Sequence, residues 1–210
     1  TSLGYREYRL FWLGGAFSNI GMWALIYGRL WLMHDLTDSP FMLGVVTASS
    51  LGPVLLLSLW GGVVADRVNR LQLVTVTRGL FAVLALLTGV LITTDFIQPW
   101  HLIVISLCTG VLLSFDIPSR QAMLPNLVAE EHLVNAIALY SFLSAGSAII
   151  GPGFFAPIVN FWGLDALFLL IGLAYVLTVA MLMMMKPLPQ KPMATKGWLW
   201  RGLKEGLGYS

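Results

Sequence analysis

Residues 41–94 read FMLGVVTASSLGPVLLLSLWGGVVADRVNRLQLVTVTRGLFAVLALLTGVLITT. Two apolar runs, Phe41–Val64 and Leu71–Thr94, flank a short segment that carries Asp66, Arg67 and Arg70. About 20 apolar residues suffice to cross the hydrocarbon layer as a helix. The stretch therefore reads as a helical hairpin in a membrane, with its charges on the turn. Four more runs follow the same pattern: Leu10–Met33, Trp100–Met123, Leu133–Phe161 and Leu164–Met185. The expected fold class is an all-α membrane protein with six transmembrane helices. Alternation of apolar and polar residues is missing, which excludes a membrane β-barrel.

The whole chain agrees. Of its 210 residues 58% are hydrophobic and 10% charged, where a soluble domain carries about 25% charge. That excludes a soluble fold and a disordered chain. A net charge of +2 with no nucleic-acid motif excludes nucleic-acid binding. The single cysteine, Cys108, allows no internal disulfide and no cysteine metal cluster, and reads as a packing residue. No cleavable signal peptide is expected, because the first run is too long and lacks a small-residue cleavage site.

Orientation follows from the cations. Arg6 and Arg9 precede the first span, and Arg67, Arg70 and Arg78 lie around the junction of the second and third. Arg120 closes the fourth, and Lys186, Lys191, Lys196, Arg201 and Lys204 follow the sixth. If the helices alternate, all of these fall on one side. The other side holds His34, Asp35, Asp38, Asp95 and Asp165. The positive-inside rule then places both termini in the cytoplasm. Arg29 alone departs from the pattern: it either snorkels to the outer interface or faces an internal cavity. Asp38-Ser39-Pro40 offers a helix start, and Glu130, Glu131 and Asp165 read as structural acids at helix N-termini.

The chain also repeats itself. Gly62-Val-Val-Ala-Asp-Arg-Val-Asn-Arg70 aligns with Gly153-Phe-Phe-Ala-Pro-Ile-Val-Asn-Phe161 at an offset of 91 residues. The first copy closes span two and the second closes span five. That implies two three-helix repeats inverted across the membrane, an arrangement common in transporters.

Gly62-x-x-x-Asp66-Arg67-x-x-Arg70 resembles the signature between the second and third helices of the major facilitator superfamily. That family usually has Gly where Asn69 stands and a basic residue where Leu71 stands. Leu36-Thr-Asp-Ser-Pro40, Phe115-Asp-Ile-Pro-Ser-Arg120 and Gly151-Pro152 resemble its bacterial efflux branch, which contains the enterobactin exporter and macrolide pumps. The resemblance implies half of a twelve-helix fold: residues 1–185 as an N-terminal six-helix bundle, and 186–210 as a cytoplasmic linker to a second half. The chain starts without Met and ends at Lys204-Glu-Gly-Leu-Gly-Tyr209, which looks like the approach to a seventh helix, so a fragment is expected. Segment Lys196–Lys204 mixes aromatic and basic residues and reads as that linker or as an amphipathic surface helix.

Several residues are candidates for function. Asp66, Arg67 and Arg70 form either a charge cluster at lipid headgroups or, as the resemblance implies, a latch whose Asp caps a helix of the other half. Asp116 is costly in a membrane without a partner. A pair with Arg70 is expected to report the gate, the alternative being a local pair with Arg120. Asn19, Trp23 and Tyr27 step by four along span one and so share a stripe; with Arg29 they are the first candidates for a substrate cavity, the alternative being helix packing. Gly151 and Pro152 predict a bend in span five, although the family's antiport signature there is matched only in part. The central parts of the six spans hold no Asp, Glu or His, and Asp116 lies towards the inner end of span four, so the proton-coupling group is expected in the other half, at Asp116, or nowhere.

No hydrolase, kinase, redox or nucleotide-binding motif is visible, so no enzyme, no cofactor and no metal is expected. The function expected is efflux of a small amphipathic molecule, a siderophore or drug, by alternating access and proton antiport across a bacterial inner membrane. The expected partners are the bilayer, the substrate, and the other half or a second copy. The alternatives are a lipid or lysolipid flippase of the same fold, and a non-transporting membrane subunit or sensor.

Overall fold

The structure is a computed structural model that describes residues 2–186. Helix α1 spans Arg6–Thr37, α2 Pro40–Arg67, α3 Arg70–Thr93, α4 Pro99–Met123 and α5 Leu133–Met183. Short 3-10 turns cover Ser2–Gly4, Leu124–Asn126 and Glu130–His132. Among the described residues there is no strand. The expected linker, residues 186–210, lies outside the described residues apart from Lys186.

Local chemistry sets the boundaries. Pro40 and Pro99 sit in the first turns of α2 and α4, where a missing N–H costs nothing. The Asp38 N–H bonds back to the His34 carbonyl at 2.7 Å from a left-handed conformation, which ends α1. Ser39 makes no side-chain cap, so the proline carries the start of α2. Asn69, where the signature usually has Gly, caps α3: its Oδ1 accepts from the N–H groups of Leu71 at 3.0 Å and Gln72 at 3.2 Å.

Helix α5 is two spans. Its 51 residues break at Gly163, with φ 88° and ψ 171°, a conformation that suits glycine alone. A side chain there would also strike the Asp165 carboxylate. Contacts with α1 fix the directions. The first arm, 133–162, runs parallel to α1: Tyr8 donates to the Ala136 carbonyl at 2.9 Å, Trp12 to Leu139 at 3.3 Å, and Trp31 meets Phe155 farther along. The second arm, 164–183, runs antiparallel: Gly14 faces Thr178, Gly21 faces Ile171, and Gly28 faces Leu167. The arms therefore form a hairpin, and the bundle has the six spans read from the sequence.

The inverted repeat is visible in the packing. Helix α1 packs on both arms of α5, and α4 packs on α2 and α3. The first helix of each triplet thus rests on the second and third helices of the other. Small residues bring the axes together. Gly61 of α2 abuts the Ser114 carbonyl of α4, and Gly151 of α5 abuts Trp23 and Ile20 of α1. The first and last described residues lie at one end, here termed the basic end. There Ser2 bonds Asn135, Arg6 the Met184 carbonyl, Lys186 the Glu7 carboxylate, and Arg70 the Ala122 carbonyl. The outer surface is apolar; Leu55, Leu56 and Leu59 are 79%, 76% and 82% exposed. Such a surface requires hydrocarbon or another apolar protein face.

Gly61 has no room for a methyl group, whereas a Cβ on Gly52 meets nothing within 4 Å. Gly61→Ala should destabilise the full-length protein by about 1–3 kcal/mol through overpacking. Gly52→Ala should be neutral or stabilising by about 0.5–1 kcal/mol. Thermal unfolding in detergent compares the two.

Candidate gating and substrate site

The centre of the bundle is polar. Asp116 on α4 is fully buried. Its Oδ2 accepts from Arg120 Nε at 2.8 Å and from Arg78 Nη2 at 3.1 Å, and its Oδ1 accepts from the Thr77 hydroxyl at 3.0 Å. Arg120 Nη1 donates to the Tyr140 hydroxyl on the first arm of α5 and to Asn19 Oδ1 on α1 at 3.4 Å. The Arg78 guanidinium lies 5.9 Å from the Phe81 ring centre and 5.7 Å from that of Tyr175 on the second arm, at cation–π distance. One network therefore joins α1, α3, α4 and both arms of α5. Two of its buried nitrogens, Asn19 Nδ2 and Arg78 Nη1, have no hydrogen-bond partner.

The pairing corrects the expectation for Asp116. Arg70 does not reach it. Arg70 donates to Asp66 Oδ1 at 3.0 Å and to the Ala65 and Ala122 carbonyls, on the bundle's rim. The reason is depth. Asp116 lies seven residues before the last residue of α4, and Arg78 eight residues after the first of α3. In antiparallel helices those positions are level, about 10–12 Å from the basic end at the helical rise. Arg70 is level with the end of α4. The local partner, Arg120, does pair, although Pro118 stands between the two. Arg78 and Arg120 are thus interior charges, not flanking ones; the depth of Arg78 in its span is a signal that the reading by junction passed over. Nothing in the sequence singled out Thr77 or Tyr140.

Arg29 is 4% exposed and does not snorkel. Its Nη1 donates to Ser106 at 3.2 Å and Thr109 at 3.1 Å on α4. Residues 29 and 120 are 91 apart, as are 62 and 153. The two arginines are therefore equivalent in the inverted repeat: each reaches across the α1–α4 seam, towards opposite ends. Only the α4 copy has a carboxylate.

A cavity of about 650 Å³ lies between α1, α4 and the first arm of α5, towards the basic end. Its polar wall is Gln121, Tyr140, Ser141 and Ser144; the rest includes Trp23, Leu124 and Ile137. Of the stripe expected to line it, Trp23 does so. Asn19 sits behind the wall in the Arg120 network. Tyr27 is 43% exposed, its ring 6.5 Å from that of Trp23, and Arg29 faces the α1–α4 seam. The backbone keeps helical dihedrals through Gly151 and Pro152, and the non-helical residue Gly163 is the turn between the two spans. Gly151 serves as the contact point for α1. Asp66 and Arg67 are exposed at the basic end.

Comparison with known proteins gives two matches. Residues 2–210 match the family described as transmembrane secretion effector. A curated relative, the staphyloferrin A transporter of Staphylococcus aureus (strain NCTC 8325 / PS 47), is 28% identical over 161 residues, covering 76% of this chain and 41% of that protein. The chain therefore spans about two fifths of the length of the curated relative it matches.

The Asp116 network predicts selective coupling between mutations. Asp116→Ala leaves two guanidinium groups without their carboxylate and should cost about 3–5 kcal/mol. In double-mutant cycles read by thermal unfolding, Asp116→Asn should couple to Arg78→Gln by more than about 1 kcal/mol and be additive with Arg70→Gln.

Proposed function

The chain belongs to the transmembrane secretion effector family of the major facilitator superfamily, and on that premise we propose that it forms the substrate-binding half of an exporter. The cargo is a small amphipathic molecule, with siderophores the first class to test because the relative is a staphyloferrin A transporter. The observation that carries this reading is the cavity. Its volume suits a drug-sized ligand, and it combines a flat aromatic, Trp23, with Gln121, Tyr140 and two serines.

The gate, in this reading, is at the basic end. Asp66 is exposed and uses one oxygen for Arg70, which is tied to the end of α4 through the Ala122 carbonyl. The carboxylate is then free to cap a helix N-terminus of the other half, closing the cavity on that side. We place the basic end in the cytoplasm and the bundle in a bacterial inner membrane, with residues 186–210 as the connection to the second half. Proton movement down its gradient drives export. Asp116, held by two guanidinium groups, serves as their counter-ion.

Two measurements test this. Cells carrying the full-length gene should accumulate less labelled siderophore than cells without it, and a protonophore should abolish the difference; equal accumulation in both strains overturns export. Asp66→Asn should slow efflux about fivefold to tenfold, equivalent to losing about 1 kcal/mol of end-capping, with unfolding temperature unchanged.

A further inference from the structure

Among the described residues, three cations are buried in the bundle and one anion. The cations are Arg29, Arg78 and Arg120; the anion is Asp116. The other described carboxylates are half-buried or exposed, none in the buried class. Asp116 is shared by Arg78 and Arg120 through the same oxygen. Arg29 has two hydroxyl partners and no carboxylate. The interior therefore carries an excess of two positive charges. In a low-dielectric bundle such an excess is expensive, and its field reaches across a neighbouring cavity with little screening.

Arg120, one of these cations, borders the cavity. Tyr140 belongs to its wall, and the same hydroxyl receives the Arg120 N–H. Gln121 follows Arg120 in the chain and also lines the wall. Asn19, whose Oδ1 accepts from Arg120, is 2% exposed and keeps an unpartnered Nδ2 donor. Gln121 and the Tyr140 hydroxyl thus line the cavity with the Arg120 charge directly behind them, while Trp23, Leu124, Pro125 and Ile137 give it an apolar surface.

We infer that the ligand of this cavity is an anion, an amphiphile whose polar end is a carboxylate held on the Arg120–Tyr140 side. The inference rests on the exporter reading for the fate of the ligand, but not for the charge it must carry. The carboxylate supplies the negative charge that the bundle lacks. Its apolar body lies against Trp23, Leu124 and Ile137. A neutral molecule of the same shape forfeits that attraction, and a cation is repelled.

The test uses the full-length protein, purified in neutral detergent, and three labelled probes on one skeleton: 2-naphthylacetate, its methyl ester, and (2-naphthylmethyl)trimethylammonium. Equilibrium dialysis should give a Kd for the carboxylate at least about tenfold lower than for the other two. Arg120→Gln leaves Asp116 paired with Arg78 and should erase most of that preference. Arg29→Gln breaks no ion pair, so it provides a variant that folds; it should weaken the preference, and Arg29→Lys should restore it. Equal or tighter binding of the ester or the ammonium probe overturns the inference, as does an undiminished preference in both Gln variants. A carboxylate from a second half that already neutralises Arg29 and Arg120 would produce that equal binding. Efflux from cells, measured separately, keeps the two readings apart. Carboxylate preference without efflux overturns export alone, and efflux with no charge preference overturns the anion alone.

Discussion

A single carboxylate in hydrocarbon depth organises this bundle. Asp116 offers its oxygens to two guanidinium groups and a hydroxyl, and these contacts offset the cost of holding the charges away from water. Because Arg120 also reaches Asn19 and Tyr140, and Arg78 lies beside the stacked Phe81–Tyr175 pair, the orientation of one side chain fixes five of the six spans relative to each other. Only α2 stands outside this network. It is held instead by close backbone contact, with Gly61 against Ser114, Gly110 against Ser50, and the Ser114 hydroxyl donating to the Pro53 carbonyl at 3.0 Å. The bundle thus uses two kinds of adhesive: charge through its centre, and glycine contacts on one flank. In a membrane both are needed, since lipid tails give apolar helix faces no reason to prefer one another.

Much of this was legible beforehand. Span lengths follow from the thickness of the hydrocarbon, so the runs around Leu10, Phe41, Leu71 and Trp100 had to be helices. The boundary near Gly163 was marked by the change from Phe161-Trp162 to Leu164-Asp165. The 91-residue offset showed in Gly62, Ala65, Val68 and Asn69, and the packing of α1 and α4 repeats it. What failed was pairing. The expected Asp116–Arg70 pair matched a buried acid to a nearby cation without regard to depth, whereas charges in neighbouring helices meet only at equal depth. Arg78 satisfied that condition and was read as a loop charge because it followed two others. Composition and periodicity give depth along a helix, but they do not give the azimuth of a side chain. That is why Tyr140 and Thr77 were invisible, and why Arg29 and Tyr27 were assigned to a wall that they do not form.

The inverted repeat also sharpens what differs between its copies. Arg29 and Arg120 occupy equivalent places and cross the same seam from opposite ends. One is bound by hydroxyl groups and the other by a carboxylate. Duplication made the two ends of the α1–α4 seam similar in shape, and substitution made them unlike in charge.

The turn at Gly163 bears on how the protein is made. With one non-helical residue joining the two arms of α5, there is no loop that could cross the bilayer ahead of its flanking helices. Neither arm can wait in the insertion machinery while the other settles into lipid. The two arms of α5 must partition together as a preformed hairpin, which α1 then receives on both of its sides.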